Sequence, residues 1–120
     1  GFIVVTEPEL LEQLSTVKPH GASFLKRAPL GIVVCADTKK SDVWVEDTSI
    51  ASILVHLTAA SLGLGSCWIG AFDAQAAREI FELQKTVEPV VFTPLGYPDD
   101  TPPAKKRRPM DDLVRFETWS

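Results

Sequence analysis

The 120-residue chain has little cysteine, little histidine and no surplus of positive charge: two Cys, two His and a net charge of −4. The acidic balance removes the long-range attraction for polyanions on which nucleic-acid-binding and anionic-membrane-binding domains rely, so any anion site must be local. Cys35 and Cys67 have no metal-ligand spacing to His20 or His56, and no metal site is expected. A disulfide between the two cysteines stays open. Buried reduced thiols in a cytosolic protein are the expectation, since free cysteine behaves as a small buried hydrophobe. The longest apolar stretch, 50–64, is shorter than a membrane span and contains Ser52, His56, Thr58 and Ser61. Residues 1–5 offer no signal-peptide core and no basic flank, so the expected location is the cytoplasm. Also missing are a nucleophile–base pair and the paired carboxylates that would suggest hydrolysis.

What is present suits one soluble domain, with 45% hydrophobic and 23% charged residues. Phe2-Ile3-Val4-Val5 reads as a strand. Thr6, with Glu9 three residues on, reads as the N-cap of a helix whose apolar face is Leu10, Leu11, Leu14 and Val17, ended by the stretch 18–22. Residues 28–36 form a second strand without polar alternation, hence covered on both faces. A charged loop, 37–42, follows. Asp73 caps a later helix with Ala77, Ile80 and Phe81 inward, and 90–93 is a further strand interrupted by Pro94. Strands alternating with helices indicate an α+β, layered domain, but the links leave parallel or antiparallel pairing open.

The helix expected over 48–63 is apolar nearly all round. One stripe holds Ile50, Ile53, Leu54, Leu57, Ser61 and Leu64; the opposite side holds Ala51, Val55, Thr58, Ala59 and Leu62. Such a helix needs cover on every side, and a chain of this size cannot supply it alone, so a homodimer is expected. Gly63 and Gly65 stop the helix, and a short strand is expected over 66–71. From Asp99 the chain is polar and proline-rich, yet it finishes with Leu113, Val114, Phe116 and Trp119. The organisation expected is a core over 1–98 and an arm over 99–120 whose apolar end docks on the partner subunit.

Three segments carry a resemblance. They are Gly63-Leu64-Gly65-Ser66-Cys67-Trp68-Ile69-Gly70-Ala71-Phe72-Asp73, Pro94-Leu95-Gly96-Tyr97-Pro98, and the run 102–109 with its Lys105-Lys106-Arg107-Arg108 core. In order and separation they resemble the C-terminal half of the nitroreductase-like FMN-dependent oxidoreductases, and 47–51 looks like the start of that family's central helix. The family's upstream Arg-x-Ser-x-Arg and Pro-Ser-x-x-Asn segments do not occur in the chain. The resemblance therefore covers the C-terminal portion, without the usual N-terminal FMN-binding segment.

The resemblance implies a central sheet flanked by helices and an arm exchanged with the partner. It also implies hydride transfer from NAD(P)H through flavin N5 to a nitroaromatic, quinone or similar acceptor. Residue by residue, it places the Gly70 amide at flavin N5 and the Ala71 amide at O4, with Trp68 and Ile69 beside the ring and Lys105 and Arg107 on the FMN phosphate. The chemistry agrees. Glycine followed by alanine leaves backbone N–H groups open to a planar ring, and donors there stabilise charge gained on reduction. Two cations on an extended arm can grip a phosphate. On the residues alone, small residues at a strand end equally serve helix packing, and four adjacent basic residues are more often a solvated linker. No catalytic side chain is assigned. His56 is expected to be a hydrogen-bonded core or interface histidine rather than a base. The competing class is a non-catalytic dimeric module that keeps the fold without the flavin.

Overall fold

The computed structural model describes residues 1–18 and 20–119. Four strands, β1 (Phe2–Val5), β2 (Leu30–Asp37), β3 (Gly65–Ser66) and β4 (Val87–Gly96), form one sheet in the order β1-β2-β4-β3. The pairing left open by the sequence is antiparallel throughout, with Val4 opposite Ile32, Val33 opposite Phe92 and Ser66 opposite Leu95. Helices α1 (Pro8–Thr16) and α3 (Ala74–Ile80) belong to one face, and α2 (Trp44–Ser61) packs on the other.

The first face carries the core. Val5, Leu11, Leu14, Leu25, Val33, Cys35, Ile69, Ala77 and Phe92 pack together there, and the rings of Phe72 and Phe92 stack at 4.0 Å. Alternation along the strands then turns Phe2, Ile32, Val34, Val91, Thr93 and Leu95 toward α2.

Several local expectations change. Helix α1 starts after Glu7 with no side-chain cap; Pro8, whose ring presets a helical φ, opens it in place of a Thr6 cap. Of the stretch 18–22 expected to end it, Pro19 lies outside the described residues. Helix α2 begins at Trp44, ahead of the predicted Thr48, because Ser41 organises the preceding turn. The Ser41 hydroxyl donates to Asp47 at 2.8 Å and accepts from the Val43 amide at 3.2 Å, and Glu46 and Asp47 suit the positive end of the helix. The other end is as expected. Gly63 takes φ +73°, and the Gly63 and Leu64 amides return to Ala60 and Ala59 at 3.1 and 2.9 Å. That double bond pattern is a glycine-centred C-terminal cap.

The strand predicted over 66–71 breaks in two. Only Gly65–Ser66 is a strand, followed by an isolated pairing of Ile69 with Phe92. Strand β4, by contrast, runs straight through Pro89 and Pro94. Pro89 stands beside a register shift at Val34/Cys35, and Pro94 lies where the pairing with β3 lapses, the places where a missing N–H donor costs a ladder least.

The arm adds a single turn, α4 (Met110–Leu113), and its described residues are exposed. Phe116 and Trp119 are 84% and 88% exposed, so nothing among the described residues covers the apolar end. No helix is long and apolar enough to cross a membrane among the described residues.

Candidate functional site

The segment after β3 is pinned at two points with an open stretch between them. Ile69 exchanges both backbone hydrogen bonds with Phe92, at 3.0 and 2.9 Å, and its side chain is buried in the core. Beyond the open stretch, Phe72 stacks on the same Phe92, and the Asp73 amide donates to the Val17 carbonyl at 2.8 Å. Asp73 then caps α3, its carboxylate accepting from the Gln75 and Ala76 amides at 3.0 Å each, as its position predicts. Gly70 and Ala71, between the anchors, are exposed. Among the described residues no hydrogen bond engages either amide. Two exposed donors without a partner among the described residues, anchored on either side, are open to an external acceptor as they are to water.

Trp68 stands beside them. A Cβ built on Gly70 would lie 3.0 Å from the indole Nε1, so glycine is what lets ring and backbone approach. The indole also stacks on His56, the two rings 5.8 Å apart and 16° from parallel. His56 Nδ1 is 2.7 Å from the Ser66 hydroxyl, which makes His56 the hydrogen-bonded residue expected. Burial lowers its pKa from the ordinary 6.5, favouring the neutral ring. Its Nε2 is buried without a partner among the described residues, as is the hydroxyl of Thr93.

The histidine–serine–tryptophan cluster was not legible in the sequence. His56 and Trp68 lie twelve positions apart across a helix end and a turn, a separation that belongs to no helical or strand period. Cys67 corrects another expectation. Both thiols are free, but only Cys35 is buried. Cys67 lies at the sheet edge and lines a cleft of about 630 Å³ with Arg27, Pro29, Ser66 and the exposed Tyr97. Burial, the largest cause, raises the Cys35 thiol above its ordinary 9.0, so Cys35 is an inert core residue.

Trp68, Ile69, Gly70 and Ala71 thus come together as one site edge. Lys105 and Arg107 stand apart on the exposed arm. Among the described residues the pair's one hydrogen bond is internal, from Arg107 Nη1 to the Lys105 carbonyl at 3.4 Å, and neither has an ion pair. The residues present fit a flavin mononucleotide in kind: free amides beside an aromatic ring for the polar ring edge, and uncommitted cations for a phosphate.

Comparison with known proteins agrees with the fold. The profile of the nitroreductase family matches residues 2–97. A protein of Methanothermobacter thermautotrophicus provisionally named NADH dehydrogenase/NAD(P)H nitroreductase is 38% identical over 98% of this chain and 64% of its own length. The FMN reductase [NAD(P)H] of Bacillus subtilis is 28% identical over 98% of the chain and 56% of its own. The chain therefore spans less than two thirds of the length of these curated relatives. Among solved structures, an FMN-dependent nitroreductase of Clostridium difficile R20291 superposes with a TM-score of 0.85 at 37% identity, over 99% of this chain and 75% of that one. With the antiparallel sheet, the helix order and the match through residue 97 all in agreement, the chain belongs to the nitroreductase family.

Proposed function

We propose that the protein is an FMN-dependent NAD(P)H oxidoreductase acting on a nitroaromatic, quinone or similar electrophile, and that it works as a homodimer in the cytoplasm. The observation that carries the reading is the open pair of amides at Gly70 and Ala71, held between the Ile69 and Phe72 anchors. Bound FMN would supply the hydride-accepting and hydride-donating chemistry at N5. The chain's own contribution is orientation and charge. The Gly70 amide is assigned to the N5 edge and the Ala71 amide to O4, where donors favour the electron-rich ring. Trp68 lies beside the ring, Ile69, its side chain in the core, anchors the edge from behind, and Lys105 and Arg107 neutralise the phosphate. No side chain is given an acid–base step.

The dimer rests on α2. Its sheet-facing positions are small or polar, with Thr48, Ser52 and Ala59 buried, while Ile50, Ile53, Leu54 and Leu57 point away from the sheet and are each roughly half exposed or more. A second copy laid on this stripe would bury it, with the Leu113–Trp119 end of the arm adding to the same assembly. Two free thiols accord with a reducing compartment.

Two measurements test the reading. The visible spectrum and an FMN fluorescence titration of the purified protein are expected to show flavin binding. Replacing Lys105 and Arg107 together by Ala is expected to weaken it at least about tenfold, since charge-assisted hydrogen bonds are worth roughly 1.5–3 kcal/mol each. Thermal stability should hardly change, because exposed cations contribute little to folding. Equal affinity in the double variant makes the arm a linker. A protein that neither holds nor takes up FMN is the non-catalytic dimeric module instead.

A further inference from the structure

We propose that His56 is a positioning residue for Trp68: by stacking on the indole while bonded to Ser66, it holds the ring in one orientation beside Gly70 and preforms the aromatic side of the site. The consequence for flavin rests on the reading above; the lock itself is a property of the chain without ligand.

The argument begins with how His56 is registered to the sheet. The glycine cap at Gly63 reverses the chain after α2, so the segment from Gly65 returns alongside the helix's last turns. Ser66 is fixed opposite Leu95 and Ile69 opposite Phe92. A hydrogen bond of 2.7 Å between the Ser66 hydroxyl and His56 Nδ1 therefore ties the imidazole to a backbone that cannot slide. Trp68 lies between these two pairings, and the imidazole and indole are nearly parallel.

The indole needs such a holder. Trp68 is 44% exposed, and no hydrogen bond anchors its Nε1 among the described residues. Its Nε1 edge closes on Gly70, where even a methyl group would stand 3.0 Å away, and its face is stacked by His56. The core holds Ile69, one residue on, and not the indole. Without the imidazole the indole is a surface ring with several rotamers open to it, and a ligand would have to order it on binding. Aromatic pairs of this kind stabilise enough that losing one is expected to weaken the ligand about 2–10-fold. A leucine or alanine at 56 would suit an apolar helix better. A histidine, with its cost of burial, is explained by needing both a flat face for Trp68 and a nitrogen for Ser66.

The test has a ligand-free arm and a ligand arm. In the near-ultraviolet circular dichroism of the ligand-free chain, the difference between wild type and Trp68→Phe isolates the Trp68 band. That band is expected to fall by at least about half in His56→Ala and to survive in His56→Phe, which restores a stacking face. Far-ultraviolet spectra check folding. Should His56→Ala not fold, Ser66→Ala replaces it, and loss of the band is expected there too. In FMN titrations, His56→Ala and Trp68→Ala should each weaken binding about 2–10-fold, and the double variant should be no weaker than Trp68→Ala alone. An unchanged Trp68 band in a folded His56→Ala or Ser66→Ala variant, or additive losses in the double variant, overturns the proposal. A His56-dependent band in a chain that binds no FMN sinks the flavin reading and leaves the lock standing. FMN binding with a His56-independent band does the reverse.

Discussion

The two faces of the sheet are built to different rules. On the α1–α3 face, large residues point inward and meet one another: Leu11, Leu14, Leu25 and Phe92 are each nearly inaccessible. On the α2 face the helix lays its small residues, Thr48, Ser52 and Ala59, against the sheet and turns isoleucines and leucines outward. The packing left behind is loose. Grooves of about 370 and 360 Å³ run along α2, one lined by Phe2, Leu54, Leu62 and Leu95, the other by Cys35, Trp44 and Thr48. The contrast separates two sources of stability. The first face completes its core within one chain; the second has its apolar surface on the wrong side for that, and in the proposed dimer a second copy would complete it.

The largest expected effect breaks the first face. Phe92→Ala removes the ring that stacks on Phe72 and underlies the Ile69 anchor. It should cost about 3–5 kcal/mol in urea unfolding, the range for deleting a buried aromatic. A loss below about 1 kcal/mol would mean that this core is not what holds the fold.

Next comes the α2 stripe, where the proposed dimer makes an opposite forecast. Leu57 is 60% exposed within the chain, so Leu57→Glu should leave a lone chain's stability nearly unchanged. In sedimentation equilibrium it should weaken self-association by about tenfold or more, given roughly 1.5–3 kcal/mol for each large side chain a dimer would bury. A wild-type chain that stays monomeric at micromolar concentration removes the dimer altogether.

The smallest effect concerns pH, and again it falls on the α2 face. Burial lowers the pKa of His56 below 6.5, so between its folded pKa and 6.5 the unfolded chain binds the proton more readily. Stability is therefore fully present above about pH 6.5 and declines as the pH falls toward the folded value. Thermal unfolding should show a modest fall in Tm from pH 7.5 to 5.5, and His56→Phe should flatten that part of the profile. A profile of wild-type steepness in the variant would assign the fall to other groups.

Local chemistry explains which features could be read in advance. Asp73 before an alanine-rich helix, Gly63 at the end of α2 and a β-branched run at 2–5 each carry their meaning within a few residues. The amide edge at Gly70–Ala71 was legible too, through the segment motif and the absence of side chains. Thr6 misled because Pro8 could start α1 without a cap. Pro94 misled because its effect on β4 depends on which neighbouring strand is present at that point. Lys105 and Arg107 remain an assignment from the motif, with the arm extended in the structure.

By itself the sequence determined the composition of the layers: an antiparallel-capable set of strands, an all-round apolar central helix, a glycine-marked opening after Ile69, and the family. Those are properties of spacing and residue type, which act over a turn or a pair of strands. Only the tertiary structure decided which side of α2 faces the sheet, that Cys67 is exposed, and that His56, Ser66 and Trp68 converge beside Gly70. Each of these depends on how the chain reverses at Gly63 and how β3 registers on β4, contacts between residues far apart in sequence whose energies no local pattern encodes.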